Sequence, residues 1–139
     1  MSQHGDNVPL WVRTTVGILA LLNIVFGVMS YLDMHILFHE GIGVDFTNSF
    51  IKNASFEFAS RNLAIGLALG FVTIIKGAPE ALVILTIVRS LIEIQTIVIS
   101  IIQGNITTML LAPIAFLIVE IVIIKTLIVV IKKEEQLKS

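Results

Sequence analysis

The chain has 139 residues, of which 56% are hydrophobic and only 14% charged. A soluble domain is about 45–50% apolar and about 25% charged, and a chain this short has too much surface per volume to hide the excess in a water-soluble core, so its surroundings must be a bilayer. A net charge of −1 without a basic stripe excludes nucleic acid as a partner, and the lack of cysteine excludes disulfides, thiolate catalysis and thiolate-held metal or iron–sulfur centres; no cofactor is implied.

The opening residues, Met1 to Trp11, carry neither the Lys/Arg start nor the small-residue cleavage site of a secretory signal. The first apolar run is therefore read as a retained span. Crossing a bilayer takes roughly 20 mainly apolar residues at a helical rise of about 1.5 Å each. Four stretches meet that requirement. The first is 11–32, with Asn23 at its centre. The second is 56–75, which opens on Glu57, Arg61 and Asn62. The third is 80–102, containing Arg89 and Glu93, and the fourth is 106–131, containing Glu120 and Lys125. Backbone groups in hydrocarbon must pair within their own segment, so each span is predicted to be helical.

The connections differ. Lys76-Gly77-Ala78-Pro79 and Gln103-Gly104-Asn105 are tight turns, Gly ending one helix and Pro opening the next in the first of them. They make spans two, three and four antiparallel neighbours. The link 33–55 is long, and Phe46, Phe50, Ile51 and Phe56 among its polar residues read as a partly amphipathic surface segment. Arg13, Lys76, Lys132, Lys133 and Lys138 fall on one side of the membrane and only Lys52 clearly on the other. The positive-inside rule puts the first set in the cytoplasm. The predicted fold is an all-α membrane protein, a four-transmembrane antiparallel helix bundle with both termini cytoplasmic. It forms a single integral membrane domain over residues 1–139, with the loop 33–55 outside.

An ionised side chain at mid-bilayer costs roughly 2.5–3.5 kcal/mol on insertion scales, so such groups face protein and pair. Arg61, Arg89, Glu93 and Glu120 sum to zero formal charge. Arg89 and Glu93, four apart, share a helix face. Arg89 and Glu120 fall at similar depth, roughly 20 Å from the outer end, on helices joined by a short turn. With Asn23, and with hydroxyls from Ser90 and Ser100, they are predicted to form a polar core. Two readings stand side by side. The cluster is structural glue that fixes register, or it is a pocket for a small ligand, a lipid headgroup or a proton. Lys125 reads as a snorkelling anchor. Gly66 and Gly70 form a GxxxG pattern for close helix packing, within the chain or between copies.

In the outer loop His35 and His39 stand at i and i+4, a spacing that suits a divalent metal, with Asp33, Glu40 and Asp45 nearby. Solvated polar residues are the commoner reading of such a pair. There is no nucleophile elbow, phosphate loop or pair of carboxylates in an aqueous cleft, so the sequence leans away from an enzyme.

Arg61-Asn-Leu-Ala-Ile-Gly66-Leu-Ala-Leu-Gly70, Arg89 in the third span, Gln103-Gly104-Asn105 at its end and Glu120 in the fourth resemble the small four-span prokaryotic proteins of the DoxX-like group, and more closely a related family of undefined function. The similarity covers about 56–124. It implies a four-helix bundle in a prokaryotic cell membrane, with Arg61, Arg89 and Glu120 at the family's intramembrane polar positions. Some DoxX-like proteins are subunits of membrane redox assemblies. Glu93 is a departure from that pattern. The leading expectation is a non-enzymatic membrane protein with a charge-paired core, acting as an accessory subunit or a small ligand- or lipid-binding module. Its partners would be the lipid bilayer and either further copies of itself or a membrane complex. The alternatives are a membrane-embedded enzyme or lipid-metabolism factor using the polar cavity, and an oligomeric proton- or ion-coupled transporter.

Overall fold

The computed structural model describes residues 8–32, 49–75, 79–102 and 110–138. These residues form four helices in chain order: α1 (Leu10–Tyr31), α2 (Ser49–Ile74), α3 (Pro79–Ile102) and α4 (Leu111–Lys138). No strand occurs among them. Each helix is long and apolar enough to cross a bilayer. The chain is thus an all-α, multi-pass integral membrane protein. Large apolar side chains such as Leu67, Phe71, Ile84, Leu91, Ile118 and Val122 lie exposed, which is unfavourable in water and favourable against lipid.

The helix bounds follow from local chemistry. Pro9 precedes α1, and its carbonyl accepts the amides of Val12 (3.0 Å) and Arg13 (3.2 Å), closing the first turn. Trp11 and Tyr31, both partly exposed, stand 20 residues apart, a rise of roughly 30 Å that matches the hydrocarbon thickness. Aromatic residues favour those two interfaces. α2 begins at Ser49, ahead of the apolar run near Phe56, so the helix extends into the segment read as loop. α3 opens on Pro79, whose missing amide would have had no partner, followed by Glu80 in the first turn. α4 is described over Leu111–Lys138 and so runs past the predicted end at Ile131, while residues 106–109 of the predicted span fall outside the described residues. Pro113 lies in the first turn of the described helix. In the first turn its absent N–H costs nothing, whereas deeper in a helix it would break a bond and clash.

The chain divides into two compact units, one comprising Thr14–Phe71 and the other residues 1–13 with 72–139. In the first, α1 and α2 pack antiparallel around two glycines. A Cβ on Gly66 would stand 2.8 Å from Ile24 Cγ1 and 2.9 Å from both Ala20 O and Ile24 N. A Cβ on Gly27 would stand 2.7 Å from Leu63 Cγ, 3.0 Å from Ala59 O and 3.1 Å from Leu63 N. Each glycine therefore receives the backbone of the other helix. Gly70 meets only Ala20 Cβ, at 3.9 Å. The GxxxG pair thus serves packing within the chain, through Gly66, and Gly27 is its counterpart on α1. Beyond this contact the rings of Tyr31 and Phe56 lie 5.5 Å apart.

In the second unit α3 and α4 form a hairpin. Leu82, Thr86, Arg89 and Ser90 on α3, and Glu120, Ile123 and Leu127 on α4, are buried. Each set recurs at three or four residues and so makes one face. Arg13 Nη1 also donates to the carbonyl of Thr73 (3.3 Å), in the last turn of α2, where carbonyls lack helical partners.

Candidate functional site

Most polar residues in the spans are satisfied by their own helix. Asn23 Nδ2 donates to Leu19 O (2.7 Å), Ser30 Oγ to Phe26 O (2.9 Å), Thr96 Oγ1 to Ile92 O (3.0 Å) and Thr126 Oγ1 to Val122 O (2.9 Å). Such bonds to the preceding turn replace water where none is present. Asn23 is buried, but its bond is to its own helix.

The charged residues behave differently. Arg89 is buried, with its side chain 5% exposed. Its Nη2 lies 3.1 Å from Glu93 Oε1 on the next turn of α3, and its Nη1 pairs with Glu120 Oε1 of α4. Glu120 is fully buried, and Glu93 retains 15% side-chain exposure. The guanidinium carbon stands 5.2 Å from the ring centre of Phe116, one turn before Glu120. Arg89 therefore offers its edge to two carboxylates and its face to an aromatic ring, which is the geometry guanidinium favours. Its Nε has no acceptor among the described residues.

Ser90 completes the group. Its Oγ lies 2.7 Å from Glu120 Oε2 and 2.9 Å from the carbonyl of Thr86, whose own Oγ1 donates to Leu82 O at 2.7 Å. A run of polar contacts thus passes from the fully buried carboxylate of α4 into the backbone of α3.

Of the residues predicted to form the polar core, the structure joins Arg89, Glu93 and Glu120 with Ser90, one of the two serines expected to contribute a hydroxyl. Arg61 is engaged elsewhere. Its Nη2 lies 3.6 Å from Glu57 Oε2, one turn earlier on α2, and the two side chains are 69% and 73% exposed. That exposed pair stands beside Ser60, also exposed, near the start of the apolar part of α2. Lys125 is exposed in the second half of α4. Phe116 was not singled out from sequence, although its place four residues before Glu120 puts it on the same helix face.

His35 and His39 fall outside the described residues, as do Asp33, Glu40 and Asp45 and the turns Lys76-Gly77-Ala78 and Gln103-Gly104-Asn105. Among the described residues no three metal-binding side chains converge.

No protein-family model matches the chain, nor does any curated protein or solved structure. The resemblance to DoxX-like proteins rests on the residues quoted for it above.

Proposed function

We propose that this is a non-catalytic membrane protein whose α3–α4 hairpin is a polar-cored module, working as an accessory subunit or small ligand-binding module of a prokaryotic cell membrane. One observation carries the reading. Arg89 is held between Glu93 and Glu120 inside apolar helices, with Ser90 and Phe116 filling in around it. Ionisable groups kept at such cost inside a span mark a binding site or a helix–helix lock. The subunit part of the reading draws on α2, where Asn53, Glu57, Ser60 and Arg61 form one exposed polar stripe at helical spacing. Charged groups beside lipid are favoured where a partner or a headgroup meets them. The distribution of Lys and Arg supports both termini in the cytoplasm, with Lys132 and Lys133 exposed at the end of α4.

The test is to extract the full chain from native membranes into lipid nanodiscs and weigh it by native mass spectrometry. A protein or lipid retained in fixed proportion is the expected result. A monodisperse single chain carrying neither overturns the proposal.

A further inference from the structure

Two counts in the α3–α4 core each fall one proton short. The first is charge. Arg89 supplies one positive charge and Glu93 and Glu120 two negative ones. Among the described residues these three make ion pairs only with one another. Arg61, which would have balanced the sum, is paired with Glu57. A net charge of −1 in apolar surroundings is costly, and one proton on either carboxylate removes it.

The second count concerns hydrogen bonds. Ser90 Oγ is within bonding distance of two oxygens, Thr86 O at 2.9 Å and Glu120 Oε2 at 2.7 Å. A hydroxyl has one proton to donate and lone pairs to accept with. The Thr86 carbonyl can only accept. Both contacts become hydrogen bonds if Ser90 donates to Thr86 O and accepts from a proton on Glu120 Oε2. With Glu120 ionised, one of the two short contacts faces lone pair to lone pair.

We infer that Glu120 is a proton-binding site. Its Oε2 holds a proton that it donates to Ser90 Oγ, while Glu93 stays ionised as the counter-ion of Arg89. The chemistry is a reversible protonation, carboxylate plus proton giving carboxylic acid, with no other group changed. The exposures fit this division of roles. Glu120 is fully buried, where a neutral acid is at home, and Glu93 keeps 15% side-chain exposure. Arg89 and Glu93 on α3 are the charged groups facing Glu120 among the described residues. The inference rests on the ligand-module reading of this cluster and names its ligand as a proton.

The test uses the full chain in lipid and its Gln variants. A carboxamide mimics a protonated acid, so Glu120→Gln keeps a donor towards Ser90 and should unfold at the wild-type midpoint. Glu93→Gln leaves Arg89 without its ionised partner and should unfold earlier. Infrared spectra at neutral pH should show the carbonyl stretch of a protonated carboxyl. That band should vanish in Glu120→Gln, remain in Glu93→Gln and shift in Ser90→Ala. A missing band, a band that survives Glu120→Gln, or equal or reversed losses of stability in the two Gln variants would overturn it. None of these readouts depends on a partner or bound lipid, so failure here is distinct from failure of the subunit or module reading.

Discussion

Replacing Gly66 by Ala, beside the same change at Gly70, isolates the close approach of α1 and α2. Both glycines lie in α2, so the gain in helix propensity on adding a methyl, about 1 kcal/mol, is common to both and cancels in the comparison. What remains is packing. The new methyl at 66 would sit at 2.8–2.9 Å from three atoms, two of which are backbone and cannot rotate away. Reaching ordinary contact needs a local separation of about 0.5 Å, and gaps of that size forfeit a quarter or more of each dispersion contact across the interface. Overpacking of this kind costs about 1–3 kcal/mol. At 70 the methyl meets Ala20 Cβ at 3.9 Å, an ordinary contact, so nothing has to move. Gly66→Ala should therefore be less stable than Gly70→Ala by about 1–3 kcal/mol, and Gly70→Ala should equal or exceed the wild type. Reversible unfolding in mixed micelles, followed by helicity, measures the difference. Equal stabilities within about 0.5 kcal/mol, or a greater loss at 70, would refute the reasoning.

Three further outcomes are expected. Arg89→Met strands the ionised Glu93 in the hairpin and leaves Glu120 without its guanidinium partner, and should cost about 3–5 kcal/mol, whereas adding Glu93→Gln and Glu120→Leu should restore most of the loss, as for other buried ion clusters replaced whole; the same micelle titration reads both. Glu57→Ala and Arg61→Ala, which break an exposed pair, should each change stability by less than about 1 kcal/mol. The chain has no cysteine, so single cysteines report sidedness. In intact spheroplasts an impermeant maleimide should label Asn53→Cys, and should label Glu135→Cys only after the membrane is opened.

The four apolar helices were legible because hydropathy and the demand for internal backbone pairing act on whole segments. The start of α2 was not, since Ser49–Phe56 alternates polar and apolar residues and carries no long apolar run. The GxxxG pattern pointed to Gly66, but Gly27, one of two glycines in apolar α1, has no sequence signal beyond its spacing of seven from Ala20. Arg89, Glu93 and Glu120 followed from depth and from the i, i+4 rule. The same rule, applied to Glu57 and Arg61, would have kept Arg61 out of the set. Summing charges over all spans outweighed it, because a total ignores which face each residue occupies.

That misassignment has physical content. The cluster reads as neutral only when all four charges are pooled, and pooling assumes that any Arg in a span reaches any Glu. A helical neighbour one turn away is held there by the backbone, so pairing with it requires little further loss of freedom, whereas a partner on another helix requires two elements to be in register. Arg61 takes the near partner, Glu57, and Arg89 takes both its near partner, Glu93, and the register-dependent one, Glu120. The imbalance left in the hairpin is therefore a consequence of local geometry acting at two positions. A buried carboxyl in excess of its cations either binds a proton or is removed by selection for stability. Its presence beside a serine with one bond too many is what singles out Glu120 from polar residues such as Asn23, Ser30, Thr96 and Thr126, each of which bonds a carbonyl of its own helix.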